Sequence, residues 1–174
     1  MQSLLTERCT LATLKEVEFD ELVPLYTNGE VCRYLGGVRS VEKSMAGLQD
    51  SVRDENSHSF TVRLKATKEL LGIVFISPHH NLEDMEISYM FLPKYWGNGY
   101  ARESVKALLD FCKNELKLKQ VVSETQTANK NSRRLLEVLG YKIESELERF
   151  GATQTIYVYS FTDEERQESG YDGY

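Results

Sequence analysis

Met85-Glu86-Ile87-Ser88-Tyr89-Met90-Phe91-Leu92-Pro93-Lys94-Tyr95-Trp96-Gly97-Asn98-Gly99-Tyr100-Ala101-Arg102 changes its periodicity halfway. Its first part alternates. Ile87, Tyr89 and Phe91 fall on one face, and Glu86, Ser88, Met90 and Leu92 on the other, which predicts a strand from about Glu83 to Leu92. Pro93 has no N–H for a ladder and ends it. From Ala101 the apolar residues Ala101, Val105, Leu108 and Cys112 recur at helical spacing, with Leu109 beside them. The reading is strand, glycine-bearing loop, helix.

That order has a chemical consequence. The first turn of a helix carries N–H groups with no intrahelical partner, and the helix dipole adds partial positive charge there. Gly97 and Gly99 remove side chains that would hold an anion away, so the backbone can cradle a phosphate. A plain strand–helix turn is the alternative. Two better-known phosphate loops do not match. A dinucleotide fingerprint needs a small residue where Arg102 stands, and a P-loop needs G-K-[ST] where Gly99-Tyr100-Ala101 stands.

Working outward, 174 residues suit one domain, here residues 1–164, followed by an acidic tail, 165–174, expected to fray. The hydrophobic share of 41% and the charged share of 28% are those of a soluble globule. A formal charge of −6 argues against a dedicated nucleic-acid binder. Cys9, Cys32 and Cys112 are far apart and read as reduced thiols of a cytoplasmic protein. No apolar run is long enough for a membrane span, and the first residues lack the core of a signal peptide.

The other elements follow from period and punctuation. An edge strand is expected over Cys9 to Leu14 and a helix over Glu16 to Thr27, its boundary blurred by Pro24. A short helix, Glu30 to Leu35, ends at Gly36-Gly37, and Ser40 caps a helix reaching about Asn56 with Val41, Met45, Leu48 and Val52 on its stripe. Strands follow at His58–Lys65 and Leu70–Ile76, the second hydrophobic enough for burial on both faces. His79-His80 has no third ligand at diagnostic spacing, so it reads as a solvated loop and no metal is expected. After the long helix come a strand at Gln120–Thr125, a helix closed by Gly140, and strands at Tyr141–Glu144 and Thr155–Phe161. Three strands in sequence favour hairpins, and the later β-α-β passage favours a parallel pair. The fold class is therefore α/β: a single-domain mixed, mostly antiparallel sheet flanked by helices.

Two segments carry a family resemblance. Trp96-Gly97-Asn98-Gly99-Tyr100-Ala101 after a strand resembles the acyl-CoA loop of the GNAT superfamily of N-acetyltransferases, [QR]-x-x-G-x-[GA], with Gly99 and Ala101 at its last fixed positions. Asn129-x-x-Ser132-x-x-Leu135-Leu136-x-x-x-Gly140-Tyr141 resembles the family's second segment. The opening Thr6-Glu7-Arg8, the stretch Glu30 to Leu35 and the ending Tyr159-Ser160-Phe161 are similar to the RimJ/RimL branch, whose named members acetylate N-termini of ribosomal proteins. Two departures stand out. Trp96 occupies the position of Gln or Arg, which removes a cationic partner for the pyrophosphate. Leu136 occupies the position of a tyrosine acid used by many relatives, and Ser132 becomes the candidate acid, an ordinary helix-surface or first-turn capping hydroxyl being its other reading.

The resemblance implies acetyl transfer from acetyl-CoA to an amine acceptor, without a metal. The acceptor is a peptide N-terminus or a small amine such as a polyamine, metabolite or drug. A non-catalytic acyl-CoA-binding protein is the reading from another class. No nucleic acid or membrane is implied as a direct partner, and a homodimer is admitted. The family's split sheet would admit the pantetheine arm. Backbone groups at Met90 and Leu92 would pair with its amides, and Gly97, Asn98, Gly99, Tyr100, Ala101 and Arg102 would hold the pyrophosphate. Asn129 would bond the pantetheine or thioester region, and Glu86 would be the base, acting through a water; a structural ion pair is the other reading of Glu86. Lys130, Arg133 and Arg134 form a basic cluster that would meet the 3′-phosphate or simply face solvent. Substrate-side residues are expected from Asn28 to Ser44 and Pro78 to Asn81.

Overall fold

The computed structural model describes residues 3–161; the expected acidic tail lies outside them. Among the described residues eight strands form one sheet: β1 Ser3–Leu5, β2 Cys9–Thr13, β3 His58–Leu64, β4 Leu70–Pro78, β5 Met85–Phe91, β6 Gln120–Gln126, β7 Lys142–Arg149 and β8 Ala152–Ser160. Their order across the sheet is β1-β2-β3-β4-β5-β6-β8-β7. Every neighbouring pair is antiparallel except β5 and β6. The helices are α1 Phe19–Thr27, α2 Val41–Arg53, α3 Tyr100–Asn114 and α4 Lys130–Leu139. This is the expected mixed, mostly antiparallel α/β domain. Among the described residues no helix is long and apolar enough to cross a membrane.

The alternation of β5 sorts the core into two layers. Ile87 and Phe91 join Val105, Leu108, Leu109 and Cys112 of α3 and Leu136 of α4. Met90 faces the other way, into Phe19, Leu22 and Leu25 of α1 and Leu48 of α2. Burial of these apolar side chains is the main term holding each helix layer to the sheet, at roughly 1.5–3 kcal/mol per large side chain. Gly72 of β4 lets the central strands close up. A Cβ there would lie 2.1 Å from the Met90 carbonyl oxygen and 2.9 Å from the Phe91 Cα.

The sheet has one weak seam. Parallel β5 and β6 share a single paired position, Glu86 with Val122. Beyond it β5 continues to Phe91 and β6 to Gln126 without further pairing, so a wedge opens between their C-terminal halves.

Several boundaries differ from the sequence reading. Cys9–Thr13 is not the edge, because the three-residue β1 pairs outside it. The expected helix over Glu16–Thr27 is a 3-10 turn, Glu16–Glu18, followed by α1 with Pro24 inside it. Val31–Tyr34 is a 3-10 turn rather than an α-helix. Ser40 does cap α2, accepting the Lys43 N–H at 3.2 Å, but only the centre of the stripe is buried: Val41 and Val52 are exposed.

Candidate active site

The loop between β5 and α3 is built by its own residues. After the 3-10 turn Pro93–Tyr95, the Trp96 indole donates to the Phe91 carbonyl at 2.8 Å, and Asn98 Nδ2 donates to the Trp96 carbonyl at 3.0 Å. Gly97 and Gly99 have φ of +75° and +82°, in the left-handed region that favours glycine. Gly99 is the N-cap of α3 and brings no side-chain cap. The first intrahelical bond runs from the Glu103 N–H to the Gly99 carbonyl, which leaves the N–H groups of Tyr100, Ala101 and Arg102 without helical partners. Gly97 and Gly99 are exposed; a Cβ at Gly97 would meet nothing within 4 Å, and one at Gly99 only Arg8 Nη2 at 3.4 Å. An open cradle of free N–H groups at a helix start fits the diphosphate of acetyl-CoA.

The wedge beside this loop has a defined inner edge. The Leu92 N–H donates to the Leu71 carbonyl at 2.8 Å, so Leu92 bonds toward β4. Alternation in an antiparallel ladder turns the backbone of Met90 the same way and that of Ile87, Tyr89 and Phe91 toward β6. Ser123 Oγ confirms the phase by donating to the Ile87 carbonyl at 2.9 Å. The strand edge lining the wedge therefore belongs to Tyr89 and Phe91, one residue away from the expected Met90 and Leu92.

On the α3–α4 face, Asn129 caps α4 by accepting the Ser132 N–H at 3.2 Å. Ser132 Oγ lies 2.6 Å from the Tyr89 hydroxyl. Burial pushes the Tyr89 phenol up to about 12, although its bond to Ser132 pulls in the opposite direction. Leu136 is fully buried in the core, so no acid stands there. Arg133 is turned inward, donating to the Tyr157 hydroxyl at 3.0 Å, which leaves Lys130 and Arg134 as the exposed members of the basic cluster.

Glu86 projects from the opposite face of β5 and accepts the Glu124 N–H at 3.2 Å. Burial raises its carboxyl above the usual value; His79, the Glu124 N–H and Arg149 oppose that rise, and the Glu124 carboxylate adds to it. His79 is not in a solvated loop. It is 1% exposed, and its Nε2 lies 2.7 Å from Glu124 Oε2. Asn81 donates its backbone N–H to His79 Nδ1 at 3.3 Å. Arg149 Nε completes the cluster, 3.4 Å from Glu124 Oε1. His80, by contrast, is exposed and edges onto Phe150. No group of metal-holding side chains occurs among the described residues.

Sequence reading missed Tyr89, His79 and Glu124. Tyr89 stood in the quoted strand, but its partner is 43 positions away; the partner of His79 is 45 away.

A split parallel pair, a left-handed glycine loop at a helix start and polar groups on both faces of the seam suit an acyl-CoA-dependent transferase site. Comparison with known proteins agrees. The family model described as an acetyltransferase (GNAT) domain matches residues 8–142. The chain belongs to that family and is an acetyl-CoA-dependent N-acetyltransferase of GNAT type. The uncharacterized N-acetyltransferase YoaA of Bacillus subtilis is 26% identical over 151 residues, 83% of this chain and 85% of that protein. Two solved structures share the fold. Spermidine N-acetyltransferase from Vibrio cholerae, with CoA and spermine, has a TM-score of 0.77 at 20% identity, covering 88% of this chain and 95% of its own. RimL, the ribosomal L7/L12 alpha-N-protein acetyltransferase, has a TM-score of 0.79 at 13% identity, covering 92% and 94%.

Proposed function

We propose that the acceptor is the N-terminal amine of a peptide or protein, with Glu86 as base and Ser132 as acid. The observation that carries the catalytic assignment is their placement. Glu86 leaves one face of β5 and Ser132 meets Tyr89 on the other, with the wedge between β5 and β6 at the seam. Acetyl-CoA supplies the acetyl thioester. The N–H groups of Tyr100 to Arg102, with Gly97, Asn98 and Gly99, hold its diphosphate, and the wedge-facing backbone of Tyr89 and Phe91 pairs with the pantetheine amides. The Asn129 side chain, whose Oδ1 is committed to Ser132, offers its NH₂ to the same arm.

Glu86 receives the proton of the attacking amine through a water. As the new C–N bond forms and the C–S bond breaks, Ser132 donates its hydroxyl proton to the departing sulfur. Tyr89 then returns a proton to Ser132 along their 2.6 Å bond and regains one from water, to which Glu86 releases the proton taken from the amine, so both groups return to their starting states. The raised carboxyl of Glu86 brings it nearer the working pH of a base.

Two features support a peptide acceptor. Leu35, Gly36, Gly37, Val38, Arg39, Ser40 and Lys43 line an open hollow of about 490 Å³ within the segment expected to meet substrate. It contains none of the catalytic candidates; a peptide acceptor would have to extend from the reacting amine to reach it. The likeness to RimL points the same way. A small cationic amine is the second reading, favoured by the paired carboxylates of Glu86 and Glu124 and by the likeness to the spermidine enzyme.

A thiol-release screen with acetyl-CoA over N-terminal peptides and small amines decides between them. The proposal expects the highest kcat/KM for a peptide. Preference for a polyamine or other small amine would overturn it, and binding without turnover would leave an acyl-CoA-binding protein.

A further inference from the structure

Arg8, in the turn between β1 and β2, reaches the diphosphate loop from 90 residues away. Its Nη1 donates to the Asn98 carbonyl at 3.0 Å, and its guanidinium lies 4.3 Å from the centre of the Tyr100 ring. Its Nε donates to Glu103 Oε2 at 2.8 Å, and its backbone N–H donates to Glu103 Oε1 at 2.7 Å. The Thr6 hydroxyl also donates to Glu103.

Glu103 is the element that needs explaining. It stands in the first turn of the helix whose N-terminus faces the diphosphate. A carboxylate there complements the helix dipole when nothing is bound, but opposes a second anion at the same place. Burial alone would raise its carboxyl; the bonds from Thr6 and Arg8 hold it below the usual value, so it stays charged. Trp96 meanwhile stands where the family pattern has Gln or Arg, so the loop itself offers no cation at that position.

We infer that Arg8 is a positioning residue of the acyl-CoA site: it neutralises Glu103 and holds the Asn98 carbonyl, leaving the loop N–H groups free for the diphosphate. The β1–β2 turn is then part of the cofactor site, although it belongs to no phosphate motif. This rests on the acyl-CoA reading of the loop.

The test compares acetyl-CoA with acetyl-pantetheine, which keeps the thioester arm and lacks the phosphates. Binding to wild type, Arg8→Ala, Glu103→Gln and the double variant is followed by NMR titration. Arg8→Ala should weaken acetyl-CoA by about 10- to 100-fold, the scale for truncating one partner of a charge pair. Acetyl-pantetheine should change by less than about twofold, since it carries no charge to feel the loss. The double variant should bind acetyl-CoA at least about fivefold better than Arg8→Ala, because the charge left unpaired is gone. Equal weakening of both donors, or no rescue by Glu103→Gln, overturns the inference. The Arg8 side chain is 42% exposed, so its loss is tolerable to the fold; Arg8→Lys, which keeps the charge, serves as second variant and should lose less acetyl-CoA affinity than Arg8→Ala. A wild-type protein that binds neither donor refutes the acyl-CoA reading itself.

Discussion

Ser132→Ala tests the acid with two independent readouts. The Tyr89 hydroxyl is buried, and Ser132 Oγ, 2.6 Å away, is its partner. Truncation to alanine strands that hydroxyl, and a buried polar group left unpaired costs about 1–3 kcal/mol. In a domain of this size each kcal/mol is worth about 2–4 °C of Tm, so calorimetry should show a fall of about 2–12 °C. Tyr89→Phe removes the stranded group. The double variant should therefore be more stable than Ser132→Ala alone. On the kinetic side, Ser132→Ala should lower kcat by about 10- to 1000-fold, the scale for loss of a general acid, with little change in acetyl-CoA affinity. If Tyr89 acts only by refilling Ser132, Tyr89→Phe lowers kcat less, and the double variant falls no further than Ser132→Ala. Wild-type kcat in Ser132→Ala refutes the acid. A double variant whose loss is the product of the two single losses refutes the relay, because independent groups multiply.

Two further expectations concern the other face of β5. Glu86→Gln should lower kcat/KM at neutral pH, with the defect shrinking as pH rises and free amine accumulates; pH–rate profiles that overlay would remove Glu86 as base. The fold raises this carboxyl, so the stability linked to it is full below its unfolded value and is lost as pH rises through the folded one; Tm of wild type relative to Glu86→Gln should fall across that window. His79→Ala removes a group that lowers the Glu86 carboxyl, so the acid limb of kcat/KM should move to higher pH, and an unmoved limb would exclude His79 from the cluster's electrostatics.

The parts legible in the sequence are those fixed by neighbours along the chain. The change of period at Pro93, the two glycines, the Ser40 cap and the Gly140 stop each depend on a few adjacent residues, and each stands where the pattern puts it. The three-residue β1 carries too short a pattern to register, so the sequence pattern makes β2 the edge. His79 reads as a loop residue until Glu124 arrives from β6 to bury it. The wedge-facing backbone depends on which strand satisfies Leu92, and that is a property of the sheet, not of the segment. The same holds for Arg8: nothing near it in sequence announces Asn98 or Glu103.

The central claim is that the Gly97–Arg102 loop holds the diphosphate of acetyl-CoA, and calorimetric titration of wild type and Gly99→Val tests it most directly. Gly99 sits at φ +82°, where a side chain with a Cβ costs about 1–2 kcal/mol of backbone strain, a loss the fold can absorb. The added branched side chain stands in the space assigned to the phosphates. Wild type should bind acetyl-CoA at one site per chain, and the folded Gly99→Val protein should lose that affinity by about 100-fold or more, as expected when charge-assisted bonds to a phosphate are blocked. Unchanged affinity in a folded Gly99→Val protein would contradict the account.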